Sequence, residues 1–394
     1  MTNSDNSLSN IMPKILAKGL LALRERCVMP RLVNTDYGSD AAQKGTTIDI
    51  PISTAIGTED VSPSNVLPTS GGRTPDLVQV QLDKWKKNSP FHLTDKELLE
   101  VDKNAHYVPM QVSEAVRGLA NQVNADIFAA YTDIGNLVNP AGDGIATADI
   151  ISARKLLNQS MCPAENRSAV VNFGCEADLL TLAGFSTHEK AGLSTQSIQV
   201  EGEIGRRYGF NWIADDACPL HTGGDTLGVG TPLLVADIAI GARTISIDGV
   251  TNGKILKAGD SFTLEDDPTY YTCTADNTAA ATAHTNVAIS PAIKQANVAD
   301  KAVTFIDANA SSAGRVALAF HRDAFAFATR PLMASASDLA MGSNMMSMTD
   351  PLTGLSLRLE VQRQYKRTTW EFDMLYGVKC VRPEFACKIY TATS

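Results

Sequence analysis

The stretch from Thr94 to Ile134 constrains this chain most. Thr94-Asp95-Lys96-Glu97 has the spacing of a capping box, in which hydroxyl and carboxylate each satisfy an orphan amide of a first helical turn. A short helix therefore starts there. After Asn104, Pro109 occupies a position tolerated in the first turn of a second helix. Val108, Val112, Val116, Leu119, Val123, Ile127, Ala130 and Ile134 then recur at steps of three or four, with Ser113, Glu114, Arg117, Asn121 and Asn124 elsewhere on the wheel. Some 25 residues make a rod roughly 37 Å long. A rod that long needs partners from distant parts of the chain, so it is expected to act as a spine.

The flanks are β-rich, which argues against a helical bundle. Ile48-Asp49-Ile50-Pro51-Ile52 and Val78-Gln79-Val80-Gln81-Leu82-Asp83 alternate strictly and read as paired, half-buried strands. Pro51 points to an edge. Pro63, Pro68, Gly71, Gly72 and Pro75 lie between the two runs, giving a long hairpin whose exposed tip has no core of its own and either stays loose or lies on another subunit. Upstream, Ile15, Leu16, Leu20 and Leu23 among Lys14, Lys18, Arg24 and Arg26 form a basic amphipathic helix, expected to dock on a neighbour.

Beyond the spine, closed by Gly135, Asn139 to Gly144 reads as a linker. Thr147 to Leu157 reads as a helix capped by Thr147 with Ile150, Ile151 and Leu156 inward. Ala169 to Phe173 follows as a buried strand, Glu176 to Leu182 as a helix, and Glu203 to Ile213 as a glycine-punctuated strand pair. Five short β-prone runs then appear: Thr244–Ile247, Ser261–Leu264, Tyr270–Cys273, Val287–Ile289 and Val303–Ile306. Turn signals separate them at Asp248-Gly249, Asn252-Gly253, Gly259-Asp260, Asp267-Pro268 and Asp276-Asn277, as in a small antiparallel barrel or sandwich. Strands return at Val316–Phe320, Leu355–Val361 and Trp370–Phe372.

With 394 residues, two or three domains and a large buried interior are expected. The net charge of −9 argues against a protein that grips nucleic acid through counterion release. The polar start, Met1 to Asn10, does not resemble a secretory signal, and no run of 18 apolar residues occurs, so a cytoplasmically made protein without a membrane segment is expected. The seven cysteines, scattered and without a Cys-x-x-Cys pair, read as reduced thiols rather than a disulfide frame or zinc site.

Templates for chemistry find little. Gly224, Gly228 and Gly230 lack a following Gly-Lys-Ser/Thr, and His188-Glu189 lacks the second histidine of a zincin motif. His321, beside Arg322 and Asp323, reads as a hydrogen-bonded structural histidine. Asp215-Asp216 and Asp266-Asp267 sit at turns, where aspartate caps and bends the chain. Lys84-Trp85-Lys86-Lys87 and Arg363, Lys366 and Arg367 read as solvated strand faces or intersubunit ion pairs. No catalytic, cofactor-binding or metal-ligating residue is expected, and no cofactor.

The order of arm, long hairpin, spine helix, α/β region and returning strands resembles the tailed-phage major capsid proteins with the α+β Hong Kong 97-like fold. The insert, with Thr244-Ile245-Ser246-Ile247-Asp248-Gly249 and Lys257-Ala258-Gly259-Asp260, is similar to that of phage P-twenty-two type coat proteins. So are His321-Arg322-Asp323-Ala324-Phe325, Thr329-Arg330-Pro331-Leu332, Gly354-Leu355-Ser356-Leu357-Arg358-Leu359 and Leu375-Tyr376-Gly377. The resemblance implies an arm at 1–45, an extended hairpin (E-loop) at 46–90, the spine of a peripheral domain at 91–140 and an axial domain at 141–236. An inserted β-barrel at 237–307 and returning strands at 308–394 complete the chain. It implies a non-enzymatic shell subunit in the virion, assembled in the host cytoplasm as pentamers and hexamers. A scaffolding protein, a portal protein, a possible decoration protein and double-stranded DNA contacted without sequence specificity are the implied partners. A carbohydrate-binding or adhesive β-rich module, a protein-shell compartment subunit and a hydrolase using His321 and the paired aspartates Asp215-Asp216 and Asp266-Asp267 are the alternatives.

Overall fold

The computed structural model describes residues 15–17, 19–20, 27–37, 47–52, 60, 63, 75–97, 110–140, 144–186, 204–226, 230–306, 313–332, 344–350 and 354–392. Lys14, Lys18, Leu23, Arg24 and Arg26 of the arm, Pro68, Gly71 and Gly72 of the hairpin, Val108, Pro109, the 141–143 part of the linker, His188-Glu189, Glu203 and Gly228 lie outside them.

The spine begins as expected. The amide of Thr94 donates to Glu97 Oε2 at 2.8 Å and that of Glu97 to Thr94 Oγ1 at 3.4 Å, so both halves of the capping box form. Helix α1 spans Met110–Phe128 and buries Val112, Val116, Leu119, Val123 and Ile127. Its 19 residues make about 28 Å of α-helix. The expected continuation to Ile134 is instead a tighter 3-10 turn over Ala129–Asp133 that ends with Ile134 extended. The insert supplies donors to the terminal carbonyls that the spine itself cannot pair: Asp133 O accepts from Ser290 Oγ and Ile134 O from Thr272 Oγ1. At Gly135 a side chain would collide with Pro291 and lie 2.8 Å from Tyr270 O, so glycine permits this close approach. Asn124, placed on the polar side by periodicity, is buried. It accepts from the Met29 amide and donates to Asp215.

Two sheets lean on this spine. One is built on the 14-residue strand Arg367–Cys380, which takes Phe91–Thr94 and Lys84–Lys87 along one edge and Ser356–Gln364 then Phe325–Arg330 along the other. The other runs Leu137–Val138, Ala386–Ala392, Ala313–His321, Arg167–Val171, Phe210–Ala214, Arg206–Arg207. Its alternation divides two cores. Val316, Leu318, Phe320 and Tyr390 face the spine core, whereas Ala317, Ala319, Cys387 and Ile389 face helices α2 (Thr147–Gln159) and α3 (Phe173–Thr181). In α2 the N-cap is Ala146 rather than Thr147, and Asp149 Oδ2 accepts from the Ala146 amide. Ile150, Ala153 and Leu157, at steps of three and four, share the core-facing stripe, while Ile151, about 100° round the wheel from Ile150, is 53% exposed and Leu156 only half-buried. Arg206–Arg207 and Phe210–Ala214 form the expected strand pair, turning at Tyr208-Gly209, both with positive φ.

All five expected runs of the insert are strands, and the sheet also takes in Leu233–Leu234. Its order is Leu233–Leu234, Thr244–Asp248, His284–Ser290, Asp267–Cys273, Ser261–Leu264, Val303–Phe305. The outer strands approach each other through a Leu233–Ala302 bridge and a Val303 N–H to Pro232 O bond, leaving a nearly closed barrel around Phe262, Tyr271 and Val287. Asp267-Pro268 lies inside a strand, not in a turn. The turn is one residue earlier, at Asp266 with φ of 66°.

The hairpin pairs as expected, Ile48 with Val80 and Ile50 with Val78, and Pro51 sits in a two-stranded ladder in which both strands are edges. The root is not bare. Ile48, Ile50, Val80 and Leu82 pack on Ala326, Ala328 and Val381 of the same chain. Likewise Ile15, Leu16 and Leu20 of the arm dock into the spine core. All seven cysteines are free and buried.

Candidate functional site: a buried polar junction

Where spine, insert and last strand meet, the interior is polar. His221, 4% exposed, holds Tyr131 Oη at 3.0 Å from Nδ1 and Asp260 Oδ1 at 3.0 Å from Nε2. A neutral ring satisfies both when the tyrosine donates to Nδ1 and Nε2–H donates to the carboxylate. Asp260 also accepts from the amides of Gly224 and Lys257, at 3.0 and 2.8 Å. Lys388, wholly buried, donates to Gly259 O and Thr272 Oγ1 at 2.9 Å each, and Tyr390 Oη donates to Gly259 O at 2.7 Å. The Tyr390 ring stacks on His221 at 5.1 Å and 9°.

Local sequence places each group. Tyr131 is in the 3-10 turn ending the spine, His221 in the short strand Leu220–Thr222 paired to Gly314, and Asp260 in the turn entering Ser261–Leu264. Gly259 has φ of 105° and would press a side chain into His221. Lys388 shares the spine-facing parity of its strand with Ala386 and Tyr390. Burial pushes the Lys388 ammonium down to about 7 despite Asp260, and pushes the Tyr131 phenol up to about 12. Tyr131–His221–Asp260 has the hydrogen-bond order of a proton relay, but all three groups are shielded from solvent, so the arrangement ties elements together rather than meeting a substrate.

The residues singled out from sequence serve separate structural jobs. His321 is buried, and its Nδ1 accepts from the Asp323 amide at 3.2 Å, capping the turn Arg322–Ala324; burial lowers its pKa. Asp215 accepts from the Ala217 amide and from Asn124, with burial raising its pKa, while Asp216 is exposed. Asp266 is at the surface with Lys301, 2.6 Å away, whereas Asp267 is buried under Tyr271 Oη. Gly224 and Gly230 are places where backbone of the insert crosses closely, at Ile255 O and Gly249 O. The basic clusters pair within the chain: Lys84 with Asp126, Lys87 with Glu371, Arg363 with Asp95, and Trp85 Nε1 donates to Asp373. Among the described residues no group of three His, Cys, Asp or Glu is placed to hold a metal, and no helix is long and apolar enough to cross a membrane.

Sequence reading missed His221, Asp260, Lys388 and Tyr390 as a unit. The available signal was Lys388 standing between Cys387 and Ile389, at inward parity in an apolar run.

Residues 78–271, just under half of the chain, match the family model described as "Phage capsid protein". Those residues belong to the phage capsid protein family. The capsid segment runs from the inner strand of the hairpin through the spine and the α/β layer into the insert, and it carries Tyr131, His221 and Asp260 of the junction. Lys388 and Tyr390 reach it from beyond its end. No curated protein sequence matches the chain. Among solved structures it is similar to a chain of Mycobacterium phage Che8, at 14% identity over 92% of this chain and 90% of that one, with a TM-score of 0.48. It is also similar to the virus-like particle from Pyrococcus furiosus, at 9% identity over 96% and 98%, TM-score 0.44. A third is the capsid of a native GTA particle, at 12% over 89% and 86%, TM-score 0.43. Likenesses at this level assign nothing further to the capsid segment.

Proposed function

We propose that the chain is the major shell-forming subunit of a tailed bacteriophage, a non-enzymatic protein of the virion with the Hong Kong 97-like fold. The observation that carries this reading is the family match over residues 78–271. The order of elements supports it: a hairpin, a spine helix, a mixed sheet, a nearly closed barrel and strands returning to the spine.

On this reading residues 1–45 are the arm, 46–90 the E-loop, 91–140 the spine, 141–236 the axial domain and 237–307 the insert, with 308–394 completing the fold. Subunits join as pentamers and hexamers into an icosahedral shell around double-stranded DNA, built in the host cytoplasm with a scaffolding protein, a portal at one vertex and room for a decoration protein. Exposed apolar side chains on separate elements suit a subunit covered by copies of itself: Leu77 and Trp85 by the hairpin, Met161 after α2, Ile240 and Val298 on the insert.

The test is to express the full chain with and without its scaffolding protein, and to examine sedimentation and negative-stain images. Closed shells in either condition are expected. A monodisperse monomer in both would overturn the reading, and selective glycan binding by that monomer would favour an adhesive module.

A further inference from the structure

Beside the sheet that holds Arg167–Val171 and Phe210–Ala214 is an open cleft of about 510 Å³ in which four arginines converge, Arg31, Arg167, Arg206 and Arg322. They come from four parts of the chain. Arg31 ends the turn Met29–Arg31, Arg167 opens a central strand, Arg206 sits in the edge hairpin and Arg322 follows the strand Ala313–His321. Strand register sets Ser168, Asn211 and Arg206 side by side across the sheet, and all three line the cleft.

The charges there are poorly neutralised. Arg167 is 4% exposed, yet among the described residues its guanidinium donates to neutral oxygens alone: Pro163 O at 2.6 Å, Asn158 Oδ1 at 2.9 Å and Cys162 O at 2.5 Å. Among the described residues Arg322 meets one carboxylate, the exposed Asp36, at 3.1 Å. Among the described residues no carboxylate pairs with Arg31 or Arg206, and both are exposed. A buried cation with neutral partners beside three further cations is stabilised by an anion entering the cleft. In a chain of net charge −9 such a concentration of positive charge is a local feature, not a reflection of composition.

We propose that this cleft binds a phosphate group, either inorganic phosphate or a phosphate of a nucleic-acid strand. The arginine fork matches a phosphate face with two parallel hydrogen bonds, and a dianion answers several guanidinium groups better than a carboxylate does. Ser168 and Asn211 add neutral donors at the wall. The cleft belongs to a single subunit, so binding does not require the shell reading to hold.

The experiment uses the full-length, unassembled chain. Inorganic phosphate is titrated at constant ionic strength by calorimetry, with chloride and succinate as controls, and a short DNA duplex is titrated separately. Phosphate binds more tightly than either control anion, and Arg206→Ala or Arg31→Ala weakens it about tenfold, the loss expected for one charge-assisted contact. Arg206→Lys, which keeps the charge and removes the fork, falls between. Arg117→Ala, on the solvent face of the spine, leaves binding unchanged. Duplex binding that competes with phosphate, with a salt slope reduced by about one in Arg206→Ala, assigns the phosphate to a strand. Phosphate binding without duplex binding assigns it to the free ion. Phosphate bound no better than chloride or succinate overturns the proposal, as does unchanged affinity in both alanine variants when circular dichroism shows them folded.

Discussion

The hairpin root and the insert are both antiparallel β-structure legible from alternation, yet they are stabilised differently. The insert surrounds its own interior: Ile245, Phe262, Tyr271, Val287 and Val303 cover one another from different strands. The hairpin has one ladder and borrows its apolar floor, Ala326, Ala328 and Val381, from the body. Alternation announces that a strand has a buried face, but what buries it depends on how many strands close around it.

Substitutions sharpen the contrast. The largest effect is expected from Phe262→Ala in the insert, where a fully buried ring packed on Tyr271 and Phe305 is lost: about 3–5 kcal/mol, read as a lowered thermal midpoint. An unchanged midpoint would mean that the insert's interior is not what holds it. Next is His221→Ala at the junction, which strands Tyr131 and Asp260 and costs about 1–3 kcal/mol by urea titration.

Lys388 gives the same junction a pH dependence. Its folded pKa is near 7 against an ordinary 10.5, so between these values the unfolded chain carries the extra proton and stability from this group rises with pH, being lost as pH falls toward 7. Urea midpoints from pH 7 to 9 should therefore climb more steeply in the native chain than in Lys388→Met; parallel curves would show that the lysine is charged in place. Smaller again is Ile50→Val at the hairpin root, about 1 kcal/mol, detected as faster local exchange at 47–52 without a shift of the insert's melt. Gln79→Ala, which removes only the exposed contact to Asp49, should change stability by a few tenths of a kcal/mol, within the error of most melts.

Much of the architecture was readable because it is periodic. The stripe from Val112 to Ile127, the capping box at Thr94 and the five runs of the insert all depend on neighbours two to four residues away. Long-range closure was not readable. Nothing near Ala313–His321 says that Ala386–Ala392 and Arg167–Val171 flank it, and nothing near Leu233 says that it starts the barrel. Helix phase failed where amphipathicity is weak, at Ile151, and where a buried amide is hydrogen-bonded, at Asn124. The junction escaped for a related reason. Tyr131, His221, Asp260 and Lys388 are single polar residues far apart in sequence, and only the folded chain makes them one network.

Hydrogen exchange measured on the full-length subunit before and after assembly tests the shell reading most directly. Amides of 47–52 and 76–81 should exchange by frequent local opening in the lone subunit and become strongly protected in the assembled shell, while those of 244–248, 261–264 and 284–290 are slow in both states. A hairpin as protected in the free subunit as in the assembly, or a chain that yields no assembly to measure, would contradict it.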